Sequence, residues 1–284
     1  MVTPATRRTA ATWLREEFAV SQRRACRVLE LCLATCRYVS RRGDGGALRV
    51  RLRALAEERP RFGYRRLLVM LRREGFGVNH KRVFRLYSLE GLKLRRKKRK
   101  RVSRARLVPQ VPAVPNHRWS LDFTSDQLAD GRRFRTLNVV DDCTREALAI
   151  EPGTSLPGSF VVRVLEQIAE GRGYPKSLVT DNGPEFIGRA LDSWAYQHGV
   201  RLDFIQPGKP TQNAFVESFN GKFRDECLDQ HWFVSLRHAR AEIALWRQDY
   251  NQVRAHSALA NLAPARYAET LTNNGCPTAN SDLY

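Results

Sequence analysis

The chain has 284 residues, 42% of them hydrophobic, which is enough for one medium-sized domain with its own core and a smaller second one. Its formal net charge of +20 is unevenly placed: residues 1 to 111 contain 31 Lys and Arg against 8 Asp and Glu, whereas residues 112 to 284 contain 18 against 21. No long apolar run and no secretory stretch is present, which argues against a membrane or secreted protein and predicts a globular protein of the cytoplasm.

The first helical segments occupy the basic half. An amphipathic stretch from Ala10 to Phe18 is followed by Ser21, which can cap a second helix through about Leu29, and a third short helix is expected from Leu33 to Tyr38. Together they suggest a helix-turn-helix over residues 1–45, although three basic helices also describe many packing modules.

A second helical unit, over residues 46–94, is better marked. Helices are expected from Leu48 to Glu58 and from Tyr64 to Glu74, and Asn79 can cap a third helix that Gly91 ends. This last helix is a candidate for insertion into a DNA groove, because it can bury one apolar face while exposing basic side chains, among them Lys81, Arg82 and Arg85.

A basic segment that contains prolines, residues 95–115, follows. Charge repulsion and proline should keep it extended, and it can either grip phosphates or act only as a solvated spacer. We favour phosphate contact by the basic run, which begins Arg95, Arg96, Lys97 and Lys98.

A strongly basic half predicts a polyanionic partner whose binding weakens as salt rises, and nucleic acid is the simplest one. Solubility alone explains the charge less well, because a region of one sign repels itself. An anionic membrane is a poorer alternative, since no Trp-anchored basic amphipathic helix stands out. The six cysteines form no disulfide framework and no Cys-x-x-Cys pair, which indicates buried thiols in a reducing compartment.

Two acidic residues of the second half lie at strands. Asp122 falls where Trp119, Leu121 and Phe123 alternate with polar residues, which predicts a half-buried strand with the acid on its other face. Asp181 follows the short apolar run Leu178-Val179-Thr180 and precedes a turn, so we expect it at the exposed end of a strand.

A third acid, Glu217, lies on a predicted helix. Phe215, Val216, Phe219 and Phe223 recur at helical spacing, which leaves Asn213, Glu217 and Asn220 together on the other face. Two strands and a helix can therefore present three carboxylates to one point, and oxygen ligands of this kind suit Mg²⁺ and Mn²⁺. A solvated surface charge explains any one of these acids, but three in such contexts favour a metal site.

The motifs around these acids resemble a known family. The stretch from Trp119 to Asp181-Asn182-Gly183-Pro184-Glu185-Phe186, the run Pro207–Phe219 and the tail Asp249–Leu259 are similar to OrfB-type transposases of the insertion sequence 3 family, with an integrase-like DDE catalytic core. The resemblance extends from Leu48 to Tyr267. It implies an α/β fold, in which an RNase H-like mixed-sheet core follows small all-α helix-turn-helix domains.

The resemblance also implies an activity. It predicts DNA strand cleavage and strand transfer at the element's ends, with Asp122, Asp181 and Glu217 as catalytic acids that bind two Mg²⁺ or Mn²⁺ ions per site. The partners would be double-stranded DNA of the transposon ends and target, further copies of the chain on DNA, and an upstream-frame (OrfA) protein or fusion, in the bacterial cytoplasm at the nucleoid. Residues in and just after the family motif that contains Glu217 are also expected to contact DNA. They are Lys209, Asn213, Lys222 and Arg224.

Two other functions remain open from sequence. A DNA-binding repressor of transposition with an inert core would not need all three acids, which are intact. An RNase H-type nuclease shares the fold but ordinarily uses a further carboxylate, which Asp126, Asp141 or Asp142 could supply.

The remaining expectations concern architecture. The catalytic core with its C-terminal helices should span residues 116–270, before a tail at 271–284. Tyr250, Arg254 and His256 have no assigned chemistry, so helix packing is their default role, and Trp232 and Trp246 are expected in the core.

Overall fold

The computed structural model describes residues 3–38, 45–94, 111–206 and 213–273. Within them the chain divides into two compact units, Met1–Arg51 and Leu52–Tyr284, and each is described by itself. No helix in these ranges is both long and apolar enough to cross a bilayer.

The N-terminal unit packs three helices around a small apolar core. Ser21 accepts a hydrogen bond from the amide of Arg24 at 3.3 Å, which confirms its predicted cap. The first helix begins six residues earlier than expected, because Thr3 caps it and Pro4 suits its first turn. The helices are α1 (Pro4–Phe18), α2 (Gln22–Val28) and α3 (Leu33–Arg37), and the buried residues at their centre are Ala11, Ala25 and Leu31.

The second helical set follows the sequence prediction closely. Asn79 accepts from the amide of Lys81 at 3.0 Å and starts the last helix, and Gly91 takes a positive φ of 71° just beyond its end. The helices are α4 (Gly46–Glu58), α5 (Tyr64–Arg73) and α6 (His80–Leu89).

A mixed five-stranded sheet forms the centre of the larger unit, in the order β3-β2-β1-β4-β5. The first three strands pair antiparallel, and β1 pairs parallel with β4, which pairs parallel with β5. The strands are β1 (Arg118–Gln127), β2 (Arg133–Asp141), β3 (Ala147–Gly153), β4 (Ser177–Thr180) and β5 (Arg201–Phe204).

Helices cover both faces of this sheet. One core includes α7 (Gly158–Arg172) and α8 (Arg189–His198), while the other includes α9 (Ala214–Glu226) and α10 (Leu236–Gln252), before α11 (Pro264–Asn273). The polar face of β1 therefore lies under α9, and Ser120 and Thr124 are buried rather than exposed. The sequence predicted the alternation but not this cover.

Two core predictions are wrong in part. Trp246 packs against the α9 and α10 core, but Trp232 is 74% exposed in the segment between these helices. Of the cysteines expected to be buried, Cys26, Cys143 and Cys227 are, whereas Cys32 is exposed at the start of the short helix α3. Cys36 is half-buried, and Cys276 lies outside the described residues.

A buried ionic cluster joins α5 to the catalytic core. Glu226 at the end of α9 accepts two hydrogen bonds of 2.6 Å from Arg254 and one of 2.8 Å from Arg66. Burial alone would raise the pKa of Glu226, but both guanidinium groups outweigh it and hold the pKa below its ordinary value. Nearby, the Tyr250 hydroxyl and His256 Nε2 lie 3.0 Å apart.

Further polar contacts extend this junction. Arg59 pairs with Asp249, and Arg73 donates to the carbonyls of Val253 and Asn261. Arginines in and just before α5 thus fasten this helix to α10 and to the segment that follows α10.

We predict that Glu226→Gln lowers the free energy of unfolding by about 3 kcal/mol at pH 7, because two guanidinium groups then lose their buried counter-charge. The difference from wild type should shrink as the pH falls into the acid range, since a carboxylate with a lowered pKa contributes its stability above the unfolded pKa. Urea unfolding of the variant and of wild type, at pH 7 and at an acid pH, measures this difference in the free energy of unfolding. Asp225→Asn is the matched control, because its pair with Arg61 is exposed and should matter by no more than about 0.5 kcal/mol. Equal effects of the two variants would contradict the prediction.

Candidate active site

The register of two parallel strands sets Asp122 and Asp181 side by side. Ser120 of β1 is the partner of Val179 of β4. Continued by two residues, the same register brings Asp181, just beyond the end of β4, alongside Asp122. The central strand thus contributes one acid and its parallel neighbour the next.

Helix α9 is fastened to β1 on either side of Glu217. One turn before it, the Asn213 side chain donates to the carbonyl of Leu121 at 3.1 Å. One turn after it, Asn220 Nδ2 donates to Asp122 Oδ2 at 2.7 Å. Since residues three or four apart share a helix face, Glu217 lies on the face that meets Asp122.

Asn138 completes this junction and was not singled out from the sequence. It pairs with Asp122 across β1 and β2, and its Nδ2 donates to Asn220 Oδ1 at 2.7 Å and to Thr124 Oγ1 at 2.9 Å. It is fully buried. The sequence signal for this role was a polar amide side chain, that of Asn138, within the otherwise apolar run of β2.

The electrostatics of Asp122 reflect crowded negative charge. Burial raises its pKa to about 6, and the charges of Asp181 and Glu217 add to that rise, against hydrogen bonds from the Phe123 amide and Asn220. Burial also raises the pKa of Glu217. The charges of both other predicted acids thus act on Asp122.

The donor chemistry fits divalent cations, but the side chains do not form a closed cage. Among the described residues, no three His, Cys, Asp or Glu side chains lie close enough together to hold a metal. The Asp122 oxygens accept from Phe123 and Asn220, and Asp181 Oδ1 accepts from the Gly183 amide at 3.1 Å. Carboxylate oxygens carrying uncompensated charge are nevertheless the ligands that Mg²⁺ and Mn²⁺ prefer.

The turn after Asp181 leaves little room. A Cβ on Gly183 would lie 3.1 Å from Asp181 Oδ1 and 3.4 Å from Glu185 Oε2, so a side chain there would crowd the catalytic candidate. Glu185 pairs with Arg135 of β2 at 2.6 Å, which ties the turn to the sheet. A larger residue at this position would therefore displace the Asp181 or Glu185 carboxylate by a few tenths of an ångström.

The additional acids considered for a nuclease have other partners. Asp141 accepts from the amides of Asn116, Cys143 and Thr144, and Asp142 pairs with Arg118 at 2.5 Å. Asp126 accepts from the amide of Gln127. None of these three is among the charges that raise the pKa of Asp122.

The predicted DNA contacts fall in different places. Arg224 is exposed on α9 and donates to the Ser125 carbonyl at 2.8 Å. Asn213 is buried, and Lys222 faces a separate cavity. On α6 three of them are exposed: Lys81, Arg82 and Arg85. Outside the described residues lie Lys209, Arg95, Arg96, Lys97 and Lys98.

The chain is similar to known proteins over most of its described domains. Residues 112–210 and 198–264 match integrase core domains, and residues 46–100 match an HTH-like domain. A simian T-cell lymphotropic virus intasome structure superposes with a TM-score of 0.54 over 82% of this chain and 80% of that chain, at 16% identity. This likeness supports the RNase H-like fold alone.

Relatives in bacteria share much more sequence. An uncharacterized 31.7 kDa protein of insertion element IS407 from Burkholderia multivorans is 51% identical over 90% of this chain and 93% of its own length. An uncharacterized 39.2 kDa protein of element IS476 from Xanthomonas euvesicatoria is 46% identical over 99% of this chain and 83% of its own. The putative transposase InsK of IS150 from Escherichia coli is 28% identical over 74% and 78%. The chain belongs to the OrfB-type transposases of the insertion sequence 3 family, with an integrase-type DDE core.

Proposed function

We propose that Asp122, Asp181 and Glu217 are the catalytic acids with which this transposase cleaves and joins DNA strands, and that they hold two Mg²⁺ or Mn²⁺ ions. The observation that carries the proposal is the junction of α9 with β1, where Asn213 and Asn220 bracket Glu217 beside Asp122. The parallel register that brings Asp181 to the same place supports it.

Each side chain then has a distinct role. Asp122 on the central strand, Asp181 just after β4 and Glu217 on α9 would together hold the cations. When bound, the cations supply Lewis acidity and neutralise charge at the scissile phosphate. Asn220 and the Phe123 amide orient the Asp122 carboxylate, and Asn213 fixes the start of α9; these are positioning roles. A DNA contact by Asn213 stays a prediction.

The reaction needs no nucleotide energy source. Water attacks a phosphodiester at the element end and frees a 3′-hydroxyl, which then attacks a second phosphodiester, so one bond forms for each bond that breaks in the joining step. A ribonuclease is less favoured, because Asp141 and Asp142 are held by other partners. A repressor with an inert core is less favoured, because the sequence retains all three acids and the strand register places Asp122 alongside Asp181.

The partners follow from charge and from the family. Exposed cations on α6 would contact phosphates of the element ends, and Arg224 would contact those near the catalytic acids. The basic run at 95–101 would add phosphate contacts. We also propose that further copies of the chain assemble on DNA, that an upstream-frame partner takes part, and that the protein acts at the bacterial nucleoid. The domain boundaries given from sequence are proposed as well.

We predict that Asp122→Asn, Asp181→Asn and Glu217→Gln each reduce cleavage and strand transfer by about 10³-fold or more, because each removes an anionic ligand worth several kcal/mol in the transition state. An oligonucleotide carrying the element end, incubated with Mg²⁺ or Mn²⁺, measures both steps. Asp126→Asn changes a neighbouring acid of β1 and should retain activity. Full activity in any of the three catalytic variants would reject the assignment.

We expect Asn220→Ala to lower activity by about 10-fold to 100-fold and to raise the Mg²⁺ concentration needed for half-maximal rate, since Asp122 loses its orienting donor. Gly221→Ala is the matched control on α9, because its added Cβ would meet nothing within 4 Å. A loss of activity with an unchanged metal requirement would argue against a positioning role through Asp122.

Joint replacement of Lys81, Arg82 and Arg85 by Gln should weaken DNA binding and reduce the slope of log affinity against log salt by about 0.9 for each phosphate that is no longer neutralised. Fluorescence anisotropy across a salt series measures this slope. A control removes the same charge from exposed positions of the catalytic core, Arg163, Lys176 and Arg189. Equal slopes for the two triple variants would contradict a DNA-binding role of α6.

A further inference from the structure

A second polar site lies beside the catalytic face of α9. A cavity of about 380 Å³ is bounded by α5, the turn between β2 and β3, α9 and the segment after α10. Its walls carry four cationic side chains, and exposed Ser218 and Ser257 stand at its rim. The cations are Arg66, Arg145, Lys222 and Arg254.

The positive charge of this cavity is only partly neutralised. Glu226 favours the charged form of Lys222, but its carboxylate is already shared by Arg254 and Arg66. Asp142 favours the charged form of Arg145, but its carboxylate is already engaged by Arg118 and Ser120. Arg145 lies with its Cζ 3.8 Å from the ring centroid of Phe215, and its buried Nη1 has no hydrogen-bond partner within the described ranges. Donors thus remain for a ligand.

The backbone conformation of Arg145 also supports a ligand site. Its φ is +63°, a left-handed conformation that disfavours residues other than glycine, and its amide donates to the Asp141 carbonyl at 2.9 Å. A tight turn therefore carries a long cationic side chain into the cavity. A strained non-glycine position is often associated with a functional site.

The titratable groups respond to this excess of charge. Burial, followed by the charges of Arg254, Arg66 and Arg145, lowers the pKa of Lys222 to about 7. Burial, followed by the charges of Lys222 and of the same three arginines, lowers the pKa of His256 to about 2, so that it is neutral where it contacts Tyr250. Like charges held together out of water are stabilised by an anion.

We propose that this cavity binds a phosphate group of the DNA backbone. A phosphodiester presents several acceptor oxygens to guanidinium, ammonium and hydroxyl donors, and Arg and Lys are the usual side chains that receive it. Ser218 adjoins Glu217 on α9, so a strand leaving the catalytic acids can reach the cavity. The inference rests on the proposed function for its source of phosphate, although the cavity's affinity for anions is independent of catalysis.

Sulfate provides a probe whose own charge stays constant near neutral pH. In the full chain without metal or DNA, sulfate should raise Tm in a saturable manner relative to chloride at equal ionic strength. Lys222→Gln and, separately, Arg145→Gln should weaken sulfate binding by about tenfold or more, because each loses a charge-assisted hydrogen bond. Lys222→Arg should retain most of the binding, and the exposed control Arg163→Gln all of it. The two separate variants guard against misfolding of one of them.

The pH dependence gives a second readout. Of the described groups that face the cavity, Glu226 stays charged and His256 and Tyr250 stay neutral between pH 6 and pH 8, as their pKa directions imply, whereas the pKa of Lys222 lies within this range. The neighbouring Asp142, whose pKa burial raises, is held by Ser120 and Arg118. Sulfate favours protonated Lys222, so its affinity should fall as pH rises through this range in wild type and stay nearly level in Lys222→Gln. Absence of saturable sulfate binding, or equal binding by wild type and Lys222→Gln, overturns the proposal.

A DNA experiment identifies the source of the phosphate. Element-end duplex should compete with sulfate, and Lys222→Gln should bind this duplex about tenfold more weakly. Sulfate binding with unchanged affinity for duplex would assign the cavity to a free anion and overturn the DNA assignment. Activity retained in Asp122→Asn would reject the proposed function while leaving the sulfate result intact, so the two failures are distinguishable.

Discussion

The contact between α9 and the central strand β1 determines where the charged side chains of α9 lie. Asp122 is a half-buried acid on the sheet, and a carboxylate in such a place is tolerated only when donors surround it. Asn220 supplies one donor and is itself held by Asn138, while Asn213 secures the start of the helix to the main chain of β1. These amides fix the rotation of α9, and that rotation decides which side of the helix each of its charged residues faces. The catalytic candidate Glu217 and the cavity residue Lys222 differ in surroundings for this reason.

Much of the architecture was predictable because it depends on short-range patterns. Caps at Ser21 and Asn79 and the glycine stop at Gly91 each act within a few residues, and the structure confirms them. The predicted strand around Asp122 also forms, but its burial does not alternate. The three acids were singled out for a different reason, since the motifs around them come from one family. The register of β1 with β4 brings two of them, Asp122 and Asp181, alongside each other, and their common role with Glu217 stays a prediction.

Other features depend on contacts between distant parts of the chain, and local patterns carry little information about them. The burial of Ser120 and Thr124 follows from the cover of α9, and the role of Asn138 follows from a residue 82 positions later. Lys222 and Arg224 look alike in sequence, yet a difference of two positions on a helix turns them to different sides. Trp232 is apolar but exposed, because the segment that carries it lies outside the packed faces of α9 and α10.

The polar junction between α5 and the C-terminal helices limits how such proteins can be recombined. Arg59, Arg66 and Arg73 each use a partner from the catalytic part of the chain, so a helical pair grafted from another element would arrive without matching acids and carbonyls. The basic residues on the outward side of α6 are exposed, so this side is not constrained by matching partners in the same way. Substitutions can therefore accumulate on the exposed side of α6, while α5 must change in step with the domain it contacts.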